Sequence, residues 1–69
     1  MPKLGISGMD RLTPREREIL SLLAQGQLYK EIALQLGISP STVRAHLHAV
    51  YGKLAVRSRT QAAVRFLQR

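Results

Sequence analysis

Hydrophobic side chains recur at steps of four, three and four residues in the second half of the chain, which is the spacing of one helix face. The residues with this spacing are Val43, Leu47, Val50 and Leu54. Ser39 and Pro40 precede them as an N-cap and a first helical residue, because a Ser oxygen can accept a backbone amide and Pro has no N–H to leave unpaired. The pattern predicts a helix over about 40–54.

A shorter hydrophobic stripe precedes this helix and ends at a glycine. Ile32, Ala33 and Leu36 share one helical face. Gly37 follows them, and Gly enters the left-handed region that ends many helices without a steric penalty. Two helices joined by such a tight turn have the layout of a helix-turn-helix, in which the second helix reads DNA.

The segment before this motif opens with a strong helix-start signal. Residues 13–16, Thr-Pro-Arg-Glu, form a capping box with Pro at the first helical position, and an apolar face continues from there to Gly26. The next helix has a weaker start, because Leu28 and Tyr29 stand where a capping hydroxyl or amide is expected. We expect that end to fray or to be capped by tertiary contacts. Residues 1–11 show no hydrophobic period, so we interpret them as a flexible linker or arm and residues 12–69 as one domain.

A last helix is predicted after Leu54. Ser58 and Gln61 form a second capping box, and the helix runs from there to about Leu67, with Ala62 and Phe66 facing the core. A neighbouring stripe consists of Thr60, Ala63, Val64 and Leu67. A domain this small has little surface with which to cover that stripe, so we interpret it as a homodimer interface. The alternative is that its apolar members pack inward.

The helix over 40–54 has a second, polar face. It consists of Ser41, Arg44, Ala45 and His48. A cation, a small residue and two hydrogen-bonding side chains on an anchored helix suit insertion into a major groove and contact with bases. The alternative is the solvated face of an ordinary amphipathic helix.

The charge distribution favours a nucleic-acid partner. The net charge is +7, and from Ile32 onward the chain has no acidic residue and six basic ones. A one-sided positive field suits a polyanion. With one Phe, two Tyr and no Trp, the chain lacks the aromatic residues that membrane-surface helices and single-strand binders use. Double-stranded DNA is therefore the favoured partner, with no role for a membrane.

The same composition bounds the cellular setting and the chemistry. The chain has no Cys and no apolar run near the ~20 residues that span a bilayer, so we expect a soluble, cytoplasmic protein. His46 and His48 lie about 200° apart around a helix axis, and no third ligand accompanies them. No catalytic constellation is visible. We expect no enzyme activity, metal, cofactor or small-molecule ligand.

The ordered segments LTPREREIL, AQG, KEIA, LGIS, STV, KL and SRTQAAV resemble the LuxR-type (GerE/NarL/FixJ) DNA-binding domain. The resemblance covers the chain from Leu12 to Leu67. It implies an all-α, four-helix helix-turn-helix bundle that controls transcription, contacts the transcription machinery and dimerises through its last helix. In this family the domain is usually the output end of a response regulator or of a quorum-sensing receptor.

The resemblance also assigns roles by position. Arg44, Ala45 and His48 match base-facing positions, in agreement with the polar face described above. Residues that match DNA-backbone positions are Lys30, Thr42 and Lys53. We expect these three to orient the protein without reading sequence. His46 is interpreted as a boundary residue, with a phosphate contact as the alternative.

Four departures from the family pattern affect what can be transferred. His48 often corresponds to Lys, Asn or Ser in this family, so the preferred base cannot be transferred. Tyr29 replaces a frequent Asn and Leu28 a frequent Ser or Thr, which puts backbone contacts at that helix start in doubt. Ala55 stands where Gly is common, and a left-handed backbone there would cost Ala about 1 kcal/mol.

Two other classes of protein remain as alternatives. One is a sigma-factor-like helix-turn-helix, which the fourth helix disfavours. The other is a protein-interaction module without a specific DNA site.

Overall fold

Four α-helices make up the computed structural model, which describes residues 8–68. They are α1 (Pro14–Ala24), α2 (Tyr29–Leu36), α3 (Pro40–Leu54) and α4 (Arg59–Leu67). A single 3-10 turn, Met9–Arg11, precedes α1. The predicted all-α, four-helix fold is confirmed.

The helix starts follow from local capping. The Thr13 Oγ1 accepts the Glu16 amide at 3.1 Å, while Glu16 Oε1 accepts the Thr13 amide at 2.9 Å, which completes the predicted capping box of α1. At α4, the Ser58 hydroxyl accepts the Gln61 amide at 3.2 Å as predicted. The Gln61 side chain, however, accepts the Arg57 amide at 2.8 Å, one residue earlier than a capping box requires.

The weak start of α2 is capped from within its own first turn. The Leu28 amide donates to Glu31 Oε1 at 2.7 Å, so one of the orphan donors is satisfied. Leu has no acceptor with which to return the bond. Glu31 therefore supplies one of the two hydrogen bonds of a capping box at this helix start. That bond forms within α2 and needs no tertiary contact.

The turns between α2, α3 and α4 use the left-handed region. Gly37 ends α2 with φ +70° and the Ile38 amide returns to the Ala33 carbonyl at 3.0 Å. Ala55 ends α3 with φ +57°, and it is the one residue other than Gly with a positive φ in residues 8–68. The strain of about 1 kcal/mol that the sequence suggested for Ala55 thus applies.

A single apolar cluster lies between the helices. α1 packs against α3 and α4, while α2 packs mainly against α3. The cluster is formed by Met9, Leu12, Ile19, Leu20, Leu22, Leu23, Ile32, Ala33, Val43, Leu47, Val50, Leu54 and Ala62. α1 is therefore the scaffold on which the helix-turn-helix of α2 and α3 rests.

Residues 8–11 correct the predicted domain boundary. They were expected within a flexible arm, but Met9 is buried in the core and its carbonyl accepts Arg17 Nη2 at 3.2 Å. Gly8 is also buried, with φ +76°, and a Cβ at this position would clash with the Lys53 carbonyl oxygen. Residues 8–11 thus pack with the helices, and the rest of the predicted arm, residues 1–7, lies outside the described residues. Periodicity missed this contact because three residues are too few to show a period.

Candidate nucleic-acid interface

The rotation of α3 about its axis is fixed by its buried stripe. Val43, Leu47, Val50 and Leu54 are each 0 to 1% exposed. Ser41, Arg44, Ala45 and His48 are consequently all exposed on the opposite side of the helix. The structure therefore brings the four predicted base-contacting residues onto one accessible face.

A cluster of hydroxyl groups lies at the amino end of that face. The Ser39 hydroxyl accepts the Thr42 amide at 3.1 Å and lies 3.0 Å from Ser41 Oγ and 2.9 Å from Thr42 Oγ1. All three residues are exposed. Free amides and a positive dipole end accompany the hydroxyls at a helix N-terminus, so this end of α3 suits a phosphate group.

Arg44 has an aromatic neighbour on α2. Its guanidinium carbon lies 6.0 Å from the centre of the Tyr29 ring, a distance at which a cation is attracted to the ring face. The sequence signalled Tyr29 only as a departure from the family pattern. Its contact with Arg44 links α2 to the predicted reading face of α3.

Tyr51 and Arg59 lie behind this contact. Burial raises the pKa of Tyr51 to about 12, with a further contribution from the neighbouring Tyr29. The Tyr51 hydroxyl is buried without a hydrogen-bond partner among the described residues. Arg59 Nη2 donates to the Gln27 carbonyl at 2.8 Å, so the first residue of α4 is tied to the loop before α2. Arg59 therefore has a structural partner within the domain.

The predicted phosphate contacts differ in their surroundings. Lys30 is exposed in the first turn of α2, and Thr42 is exposed at the start of α3. His46 is half-buried, which fits the boundary position expected for it. Lys30 and Thr42 are thus accessible at the amino ends of α2 and α3, respectively.

Lys53 has a partner inside the domain that the sequence did not indicate. Its Nζ lies 2.7 Å from Glu16 Oε1, with one third of the Lys53 side chain exposed and Glu16 buried. Burial raises the pKa of Glu16, but hydrogen bonds from Lys53 and Thr13 and the Lys53 charge outweigh it, so that the pKa lies below its usual value. A phosphate contact by Lys53 would have to form alongside this ion pair.

The predicted dimer face lies on α4. Val64 is 45% exposed and Leu67 68% exposed, while Thr60 is exposed and Ala63 half-buried. The alternative in which Ala63, Val64 and Leu67 all pack inward is wrong. An open groove of about 360 Å³ runs beside this face, between α4 and the α3–α4 link, and Val56, Thr60 and Val64 line it.

Among residues 8–68, no three His, Cys, Asp or Glu side chains are grouped so that they could hold a metal ion. None of the helices in this part of the chain is long and apolar enough to cross a membrane.

The four-helix fold and the exposed, basic second helix of its motif define a helix-turn-helix DNA-binding domain. The family described as "Bacterial regulatory proteins, luxR family" matches residues 10–66, and the chain therefore belongs to the LuxR family. The resemblance predicted from the sequence motifs is confirmed.

Individual relatives agree with this assignment. The chain is 49% identical over 57 residues to the spore germination protein GerE of Bacillus subtilis. The matched segment covers 83% of this chain and 77% of GerE. It is 48% identical over 56 residues to the nitrate/nitrite response regulator protein NarL of Escherichia coli, covering 81% of this chain and 26% of NarL. It is 44% identical over 63 residues to the transcriptional regulatory protein UhpA of Salmonella typhimurium, covering 91% of this chain and 32% of UhpA. The chain thus spans about a third or less of several relatives.

Fold and family together establish the general function. The chain is a DNA-binding domain of a transcriptional regulator and not an enzyme. The LuxR-family assignment replaces the two alternatives left open by the sequence. These were a sigma-factor-like helix-turn-helix and a protein-interaction module without a specific DNA site.

Proposed function

We propose that this domain binds a specific double-stranded operator with α3 in the major groove. Ser41, Arg44, Ala45 and His48 contact base edges, and Lys30 and Thr42 contact phosphates, while the half-buried His46 stays a boundary residue. The observation that carries the proposal is the anchoring of α3 by four side chains that are 0 to 1% exposed, which leaves its polar face accessible. We assign Lys53 to its ion pair with Glu16, because the Lys53 ammonium nitrogen lies 2.7 Å from the Glu16 carboxylate oxygen.

The base-reading part of the proposal is tested by selecting bound sites from a random duplex pool at physiological salt. We expect one recurrent sequence, whose affinity exceeds that of a scrambled duplex by at least 10³-fold. A pool that stays random, with binding that disappears as salt rises, would mean that the domain contacts phosphates alone.

The proposal includes a homodimer on DNA, formed through α4. It is supported by the exposure of Val64 and Leu67 beside an open groove on a helix that otherwise packs on α1. Two half-sites about one helical turn apart are then expected in the selected sequence.

The Val64→Asp variant tests this surface, because a charge on a face that becomes buried in a dimer is costly. We expect cooperative occupation of the two half-sites to disappear while one half-site is bound as before. Gln25→Asp, at an exposed position that ends α1 and does not line this groove, is the control for adding an acidic residue. Cooperativity that survives Val64→Asp would place the dimer interface elsewhere.

We infer further that the domain is the output end of a cytoplasmic two-component response regulator that acts on the transcription machinery. The inference is supported by NarL, which is itself a response regulator protein and of which this chain matches 26%. Footprinting and in vitro transcription with the full-length protein, with and without phosphorylation, would test it. Transcription that does not respond to phosphorylation would contradict it.

A further inference from the structure

The contact between Arg44 and Tyr29 joins the predicted reading face to the scaffold. Arg44 is exposed on α3, and the ring beneath its guanidinium belongs to the first residue of α2. An exposed Arg side chain samples many rotamers, and binding a base edge requires it to adopt one of them. A ring that holds the guanidinium near one position reduces that loss of freedom before DNA arrives.

Tyr29 is itself held in place. It is half-buried and packs against the apolar core. Its backbone lies between the Leu28 amide, which is capped by Glu31, and the body of α2. Tyr51 of α3 is its neighbour, and the bond from Arg59 to the Gln27 carbonyl ties α4 to the loop before α2. The ring is therefore a fixed surface, whereas the Arg44 side chain it faces extends into solvent.

We propose that Tyr29 is a positioning residue for base recognition, because its ring orients the guanidinium of Arg44 for contact with one base pair. The base is a guanine, since a planar guanidinium pairs with the O6 and N7 acceptors of guanine through two parallel hydrogen bonds. Two parallel bonds need a defined plane, so orientation of the side chain affects specificity more than it affects general attraction to DNA. The inference rests on the proposed role of Arg44.

The competing explanation is a phosphate contact by the Tyr29 hydroxyl. Tyr29 stands one residue before Lys30, close to the amino end of α2, where backbone contacts are expected. The two roles use different parts of the side chain, because positioning needs the ring and a phosphate contact needs the hydroxyl. Tyr29→Phe keeps the ring alone, and Tyr29→Leu removes both.

The test measures affinities of the domain for three duplexes. They are the selected site, the same site with the guanine pair of Arg44 replaced by an A·T pair, and a scrambled duplex. The variants are Tyr29→Phe, Tyr29→Leu, Arg44→Ala and the double variant Tyr29→Leu/Arg44→Ala. Gln35→Ala, an exposed position on α2, is the control for substitution in that helix. Thermal melting of each variant checks that it is folded.

We expect Tyr29→Leu to lower the preference for the guanine pair about two- to fivefold, the range of an exposed cation–ring contact, and to leave scrambled DNA unaffected. Tyr29→Phe should retain the preference. In the Arg44→Ala background, Tyr29→Leu should have no further effect, because the two changes remove the same interaction.

Three results would overturn the proposal. If Tyr29→Leu and Tyr29→Phe lose the same affinity for all three duplexes, the Tyr29 hydroxyl contacts a phosphate. A Tyr29→Leu loss that persists in the Arg44→Ala background would show a role independent of Arg44. If Arg44→Ala lowers the affinity for all three duplexes equally, Arg44 does not read a base and the proposed role of Arg44 fails. This outcome is distinguishable from the others because it appears without any change at Tyr29.

Discussion

The two ends of α3 carry basic side chains with different partners. Near the carboxyl end, Lys53 Nζ lies 2.7 Å from the buried carboxylate of Glu16. In the amino half, Arg44 is exposed and lies 6.0 Å from the centre of the Tyr29 ring. A full negative charge partly shielded from water holds a cation firmly, while a ring face in solvent holds it weakly. A positive charge on a recognition helix is therefore not by itself a DNA contact, because its nearest partner decides whether it is available.

The surroundings of the two ends strengthen this contrast. The carboxyl end is packed by the turn of residues 9–11 and by Gly8, which lies close to the Lys53 carbonyl. The amino end of α3 exposes the hydroxyl groups of Ser39, Ser41 and Thr42. One end fixes the helix on the scaffold, and the other is left accessible to a ligand.

The largest effect is expected when the anchored end loses its cation. Lys53→Met leaves the buried Glu16 carboxylate without its charged partner. Because a third of the Lys53 side chain is exposed, we expect a loss of about 2 to 3 kcal/mol in the free energy of unfolding, below that of a fully buried pair. Urea denaturation measures it, and Lys30→Met, at an exposed position on α2, should change stability by less than about 0.5 kcal/mol.

The same variant tests whether Lys53 also contacts DNA. If the ion pair is its sole role, the salt dependence of binding should keep its slope in Lys53→Met. A slope lowered by about one would restore the phosphate contact predicted from the family pattern.

At the accessible end, Arg44→Ala should act on binding and leave stability nearly unchanged. We expect about 1 to 3 kcal/mol lost on the selected site and a flattened preference at one base pair. Arg15→Ala is the charge-matched control, since Arg15 is exposed on α1 and pairs with Glu18. Equal losses on the selected and scrambled duplexes would reject base reading by Arg44.

The sequence predicted what local interactions decide. The starts of α1, α3 and α4 followed from Thr13, Ser39 and Ser58, each of which caps a backbone amide three residues ahead. The exposed face of α3 followed from its buried stripe. Those features need only the spacing of neighbouring residues.

The remaining features depend on contacts between distant parts of the chain. Glu16 and Lys53 are 37 residues apart, and each has an ordinary explanation within its own helix. The packing of Met9 and the ring contact of Tyr29 likewise depend on how the helices assemble. Periodicity identifies the face on which a residue lies, and it does not identify the residue that meets it.

The anchored end should also respond to acid. The pKa of Glu16 is lowered in the folded protein, so its ionisation stabilises the fold above the usual value of 4.5 and that contribution is lost as the pH falls through the folded value. We expect urea midpoints to fall as the pH drops below about 4.5, and the difference between wild type and Lys53→Met to shrink over the same range. A difference independent of pH would show that the ion pair does not form in solution.

The smallest effect concerns Ala55, the residue that ends α3. Its φ of +57° is strained for a residue that has a Cβ. Ala55→Gly removes about 1 kcal/mol of this strain, but it also adds conformational freedom to the unfolded chain. We expect a net gain of about 0.5 kcal/mol in the free energy of unfolding and no change in affinity for a single half-site, because Ala55 follows α3 at the end away from the proposed base contacts.

Ala45→Gly provides the matched control on the same helix. Ala45 is exposed within the helix, where Gly costs about 1 kcal/mol relative to Ala. The same substitution should therefore stabilise the domain at the end of α3 and destabilise it ten residues earlier. If Ala55→Gly also destabilises, residue 55 does not occupy the left-handed region in solution, and the anchored end is held by the ion pair and core packing without a strained turn.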